Sequence, residues 1–178
     1  MALQTGIRLS EMIALKRDDL ILRTGAHVRL FGKGRKERCT PLAKRTVAVL
    51  REWLKEPVRG TEGLLFTNSR GSRLSPDGIQ YIVTKYALAA SVTCPSLASK
   101  RVSPHVFRHT AAMELLLAGL DRTVIAMWLV MGQSNPPQIY LDANLAMKEQ
   151  ALAKVQPLGA RLRRDKPDDA LLSFLKDL

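Results

Sequence analysis

His105 and Arg108 stand three residues apart in the stretch Ser103-Pro104-His105-Val106-Phe107-Arg108-His109-Thr110. Serine followed by proline is helix-start chemistry, with Ser103 as the N-cap and Pro104 as the first helical residue. The spacing then predicts both basic side chains on one face of the first turns. A helix N-terminus already favours anions through its unpaired N–H groups and its dipole. An imidazole and a guanidinium added there suit a phosphate or a carboxylate. Taken alone the pair is common, and a solvated helix start with basic residues is the simpler account of it.

The charge balance favours the anion. The 178 residues carry 28 Lys or Arg against 16 Asp or Glu, a net charge of +12, which points to a polyanion and to nucleic acid before an anionic membrane. The excess is localised: residues 1–60 hold 14 Lys or Arg against 6 Asp or Glu, while 61–142 and 143–178 each hold 7 against 5. No apolar run approaches the roughly 18 residues of a membrane span, and no secretory pattern opens the chain. Cys39 and Cys94 have no paired spacing and read as reduced thiols, so a cytoplasmic location is expected.

Several elements must position the basic residues. Leu9, Met12, Ile13 and Lys16 form a helical stripe with Ser10 as N-cap, and Gly6 gives the backbone freedom to bend just before Arg8. Residues Asp19–Arg23, His27–Gly32 and Glu37–Pro41 read as three short strands joined by turns at Thr24-Gly25 and Lys33-Gly34-Arg35-Lys36. Helices are expected at Lys44–Glu56, with Val47, Leu50, Trp53 and Leu54 inward, and at Asp77–Ala90, with Ile79, Ile82, Val83, Tyr81 and Tyr86 on core stripes. The central helix runs to Gly119, and others follow at Arg122 to about Met131 and Asn144–Val155, with Tyr140 after a bend at Pro136-Pro137. Pro157 and Gly159 mark a break before a basic linker, and Asp168–Leu178 reads as a detached amphipathic helix. The fold class expected is α+β, mostly helical, with a small three-stranded antiparallel sheet. Residues 1–156 would form one domain and 157–178 the linker and terminal helix.

Four motifs in chain order carry a resemblance. Thr5-Gly6-Ile7-Arg8-Leu9-Ser10-Glu11, Gly32-Lys33-Gly34-Arg35-Lys36-Glu37-Arg38, His105-x-x-Arg108 and Gln138-Ile139-Tyr140 together resemble the catalytic domain of a tyrosine recombinase of the phage integrase family, from about Leu3 to Asp142. The resemblance implies that fold, double-stranded DNA as partner, and a catalytic set of Arg8, Lys33, His105, Arg108 and Tyr140 supported by Glu11. It also implies a preceding helix and an N-terminal DNA-clamping domain, which the sequence does not contain, so a truncated product is expected. Terminal helices in the family often pack on a neighbouring protomer, which makes a homo-oligomer on DNA through Asp168–Leu178 an expectation too.

The residue types suit that chemistry if they converge on one phosphodiester. Two arginines can clamp the non-bridging oxygens with forked hydrogen bonds that lysine cannot reproduce. His105 can donate to the same phosphate or handle a proton. Tyr140 can attack phosphorus and hold the strand as a 3′-phosphotyrosine, and Lys33 can protonate the departing 5′ oxygen. Glu11 would orient nearby groups. No metal or nucleotide cofactor is needed where arginines supply the positive charge. Arg35, Lys36, Arg38, Lys100 and Arg101 are the expected general contacts to the DNA backbone, Arg35 and Lys36 reading equally as a solvated turn.

One departure stands out. The family places a Leu-Gly-His motif nine residues before its tyrosine, where this sequence has Met131; a shifted reading gives Met131-Gly132-Gln133. Methionine cannot donate a hydrogen bond, whereas the Gln133 amide can. Losing one phosphate donor typically costs ~2.7–4 kcal/mol of transition-state stabilisation. The sequence therefore reads as site-specific DNA recombination by a weakened enzyme, with a catalytically impaired DNA-binding module derived from a recombinase as the alternative. A type IB topoisomerase is a weaker third reading. The His105/His109 spacing also suits a metal, but Arg108 between them repels a cation.

Overall fold

The computed structural model describes residues 1–32, 37–58, 60, 62–129 and 138–155, excepting the side chains of 123 and 138–144. A short helix α1 (Ala2–Thr5) leads through Gly6 into α2 (Leu9–Ala14). A 3-10 turn at Arg17–Asp19 precedes three strands, β1 (Leu20–Ile21), β2 (His27–Phe31) and β3 (Glu37–Pro41). The helices α3 (Lys44–Lys55), α4 (Pro76–Ser91), α5 (Pro104–Leu117), α6 (Arg122–Leu129) and α7 (Gln138–Lys154) follow. The expected α+β class and the antiparallel sheet are both present, in the order β1-β2-β3.

Cap chemistry sets the central helix as expected. The Ser103 hydroxyl accepts from the Val106 N–H at 3.4 Å and Pro104 occupies the first turn. At its other end Gly119 takes φ 77°, and the Leu120 N–H reaches back to the Leu115 carbonyl at 3.2 Å, a glycine stop that satisfies carbonyls the helix itself cannot. Ser75 and Pro76 open α4 in the same way.

Val28 and Leu30 on β2 are fully buried, while His27, Arg29 and Phe31 between them are not, as the alternation requires. The hairpin register pairs Leu30 with Arg38 and Arg29 with Cys39. On β3 the pattern breaks: Arg38, Cys39, Thr40 and Pro41 are all buried. This edge strand is covered on both faces, because α7 packs against it. One core cluster joins Ile7, Leu15, Val28, Leu30, Val47, Leu50 and Leu65; a second joins Ala112, Leu115, Ile125, Trp128, Leu129 and Ala151.

Four expectations need correction. The N-cap of α2 is Arg8 rather than Ser10, because the Glu11 carboxylate turns back to accept the Arg8 N–H at 3.0 Å, a charged cap that outcompetes a hydroxyl. Tyr81 and Tyr86 are 69 % and 67 % exposed, and Ile82 is exposed as well; on α4 burial is confined to Ile79 among the large apolar side chains. Trp53 sits at the rim of the core, its ring tilted on Phe66 and its Nε1 donating to the Leu65 carbonyl. The helix expected from Asn144 begins at Gln138, so Tyr140 lies in the first turn of α7 and not in a connection ahead of the helix. Residues 138–154 contain no proline or glycine to stop the helix extending that far back.

Candidate active site

The Arg108 guanidinium enters the core from α5. It is 4 % exposed, and its two terminal nitrogens donate to the carbonyls of Gly6, at 2.7 Å, and Leu129, at 2.8 Å. The planar fork of arginine is what lets one side chain tie the α1–α2 junction to the end of α6. Gly6 makes that approach possible. Its φ of 58° is left-handed, and a Cβ there would collide with the Leu129 side chain. Burial first, and the neighbouring charges of Arg8 and Arg38 second, push the Arg108 guanidinium down to about 10 against the pull of Glu11.

Arg8 reaches the same place from α2. Its guanidinium donates to Glu11 Oε1 at 3.2 Å, and its side chain is about one-third exposed. Arg38 holds the same carboxylate, its Nη1 donating to Oε1 at 3.1 Å and its Nη2 to Oε2 at 3.0 Å. Burial alone would raise the Glu11 carboxyl, but the charge and bonds of Arg38 and the bonds from Arg8 outweigh it and hold it below the usual carboxylate range. Three guanidiniums thus gather around this carboxylate. Such a surplus of positive charge in a partly desolvated site attracts an anion.

An open cleft of about 580 Å³ lies beside the cluster, lined among others by Arg8, Ser10, Gln80, Ser103, His105 and Arg108. His105 is exposed at its edge, and its Nε2 is 2.7 Å from Nε2 of His109, the rings meeting edge to face at 4.3 Å. Burial, then His105 and Arg108, lower the His109 imidazole below its ordinary value. Lys100 and Arg101 are exposed on the segment leading into α5.

The cleft therefore unites Arg8, His105 and Arg108 of the expected set, with Glu11 bonded to Arg8. Arg38 corrects an expectation. Expected as a contact to the DNA backbone, it is 2 % exposed and bonded to Glu11, because the hairpin register sets it beside Leu30 on the inward face. Lys33, Arg35, Lys36, Met131 and Gln133 lie outside the described residues, as do the Tyr140 side chain and everything from 156 onward. Two residues gain a place that the sequence reading did not give them. His109 stood there only as half of a metal spacing, and Lys148 of α7, 2 % exposed, donates to the Cys39 carbonyl at 2.9 Å. The strand register was a usable signal for Arg38; nothing local in the sequence marks Lys148.

Known proteins resemble this chain in sequence and in fold. The phage integrase family profile matches residues 1–146. The Sinorhizobium fredii protein provisionally named integrase/recombinase y4rC is 59 % identical over 177 residues, 99 % of this chain and 53 % of its own length. The crystal structure of XerA recombinase superposes with a TM-score of 0.63 at 28 % identity, covering 84 % of this chain and 54 % of that one. XerH site-specific recombinase, bound to palindromic difH substrate in a post-cleavage complex, gives 0.60 at 28 % identity, over 78 % and 38 %. The chain spans about half the length of the curated relatives it matches. With the family profile covering most of its residues and the arginine pair seated in one cleft, the chain belongs to the phage integrase family, and its fold is that of a tyrosine recombinase catalytic domain.

Proposed function

We propose that this chain is the catalytic part of a site-specific DNA recombinase that cleaves and rejoins strands through Tyr140. The observation that supports it best is the shared cleft of Arg8, His105 and Arg108 beside a carboxylate that already holds two of the three guanidiniums. A scissile phosphate placed there would meet Arg8 and Arg108 at its non-bridging oxygens and His105 at the rim. The Tyr140 hydroxyl would give its proton to His105 as its oxygen attacks phosphorus, forming the P–O bond of a 3′-phosphotyrosine while the bond to the 5′ oxygen breaks. Lys33 would give that oxygen its proton, and attack by a 5′ hydroxyl would reverse the step. Such chemistry needs no metal, since the arginines carry the charge stabilisation. Arg35, Lys36, Lys100 and Arg101 would contact the DNA backbone, in the cytoplasm of a bacterium. With Met131 or Gln133 in place of a histidine, the enzyme would be slow.

The terminal segment Asp168–Leu178 would join copies on DNA. An apolar cavity of about 320 Å³, lined by Leu3, Ala111, Leu115, Trp128, Leu152 and Val155, is a suitable seat for the leucine-rich face of that segment from a second protomer. A version ending at Pro157 should lose DNA-dependent association in light scattering.

Covalent capture tests the main reading. The full-length protein is incubated with a pool of randomised duplexes carrying nicks, which trap the cleaved strand, and detergent-resistant adducts are recovered. An adduct that disappears in Tyr140→Phe supports the reading. Salt-sensitive binding with no adduct from the intact protein would leave a DNA-binding module descended from a recombinase.

A further inference from the structure

Lys148 is a buried ammonium that the chemistry above does not use. It lies on α7, 2 % exposed, with Nζ 2.9 Å from the carbonyl oxygen of Cys39, a residue 109 positions earlier on the edge strand β3. Taking a lysine out of water for one carbonyl is costly, and an apolar side chain of the same length would fill the space with less penalty. The bond supplies what apolar contact does not, a directional tie between one helix and one strand. We propose that Lys148 is a positioning residue for strand cleavage, setting the register of α7, and so of Tyr140, against the strand that carries Arg38.

The inference rests on the reading of Tyr140 as nucleophile, and the connections are short. Tyr140 is in the first turn of α7 and Lys148 follows eight residues later on the same helix. The bonded Cys39 is the covalent neighbour of Arg38; Arg38 holds Glu11 through two hydrogen bonds, and Glu11 holds Arg8. Every link between the nucleophile's helix and the phosphate clamp is therefore a peptide bond, a helix turn or one of these hydrogen bonds. Eight residues of helix rise about 12 Å, so a tilt of about 5° at Lys148 carries the Tyr140 backbone by about 1 Å. A displacement of that size at a reacting group costs about a hundredfold in rate. The lowering of the Lys148 ammonium to about 8, by burial and then by Arg38 against the pull of Cys39, agrees with a side chain enclosed among these groups.

Lys148→Met in the full-length protein tests it, because methionine fills the same space without the donor. On a nicked duplex recovered by covalent capture, the rate of adduct formation should fall by about a hundredfold, while affinity for the same duplex and thermal stability hold. Amide hydrogen exchange in residues 138–145 should quicken, with α5 unchanged. A general loss of structure would instead weaken DNA binding and α5 protection together and would overturn the positioning role. So would an adduct rate within threefold of the parent, or unchanged exchange at 138–145. If the parent itself makes no adduct, the reading of Tyr140 fails separately, and the exchange comparison alone decides whether Lys148 sets α7.

Discussion

Arg38 and Glu11 meet fork to fork, two hydrogen bonds of 3.1 and 3.0 Å joining side chains that are each 2 % exposed, across 27 residues of sequence. Removing Glu11 leaves the Arg38 charge buried without its carboxylate, whereas removing Arg38 leaves Glu11 with Arg8 alone. Glu11→Ala is expected to destabilise the fold by about 3–5 kcal/mol, more than the same change at an exposed pair such as Lys55 with Glu52. Urea unfolding of both variants makes the comparison. Glu11→Ala also removes the hydrogen bonds that Glu11 accepts from Arg8, so any adduct formed by the surviving folded fraction should fall too.

The same pair has a pH signature. The folded Glu11 carboxyl titrates below its unfolded value, since Arg38 and Arg8 outweigh the opposing effect of burial. Its contribution is therefore complete above the unfolded value of about 4.3 and is lost as pH falls through the folded one. Stability of the parent should decline on acidification below pH about 4.3. Glu11→Gln, with nothing to titrate there, should start lower and decline less steeply in the same window.

Gly6 is constrained by both backbone and space. Gly6→Ala puts a side chain at φ 58° and into Leu129, whose carbonyl is one of the two that hold Arg108. The left-handed conformation costs about 1–2 kcal/mol and the overpacking about 1–3 kcal/mol. Thermal melting should register the combined loss, and a melting point equal to the parent's would count against the close packing of Gly6 on Leu129.

Arg108→Lys separates geometry from charge. A single ammonium cannot bind the Gly6 and Leu129 carbonyls and a phosphate together as a planar fork can. DNA affinity should change little, because the charge is kept, while adduct formation should fall by about a hundred- to thousandfold. Equal losses in binding and in adduct rate would mean that Arg108 serves binding alone.

What the sequence made legible follows from how far each interaction reaches. Ser103-Pro104 and Gly119 act on the residues next to them, so the limits of α5 could be read locally. Val28 and Leu30 declared their inward face by alternation. The meeting of Arg8 with Arg108, a hundred residues apart, was legible only because four motifs in order resemble a known family. Arg38 faces inward against expectation because a charge just after a basic turn suggests solvent, and its true partner Glu11 lies in a different element. Tyr81 and Tyr86 were misread because a helical stripe says which residues share a face, not whether anything covers it. Lys148 carried no signal at all: a lysine in a polar helix is ordinarily solvated, and its burial depends on β3 being an edge that α7 closes.

That burial gives the last expectation, and its sign is opposite to a surface lysine's indifference. The folded Lys148 ammonium is lowered from 10.5 to about 8, by burial first and by Arg38 second, with Cys39 pulling the other way. Between those values the unfolded chain holds a proton that the folded chain has released, so raising the pH favours the folded state. The parent should gain stability from pH 8 to pH 10.5, by about 3 kcal/mol at most if Lys148 titrates alone. Arg108, lowered to about 10, adds to the rise near its upper end in every variant that keeps it. Lys148→Met should flatten the lower part of the curve and leave the upper part, and it should match or exceed the parent's stability at pH 7. Chemical denaturation at half-unit steps reads both curves. If the two run parallel from pH 8 to pH 9.5, Lys148 is not enclosed as the Cys39 contact implies, and the tie between α7 and β3 must be sought in other side chains.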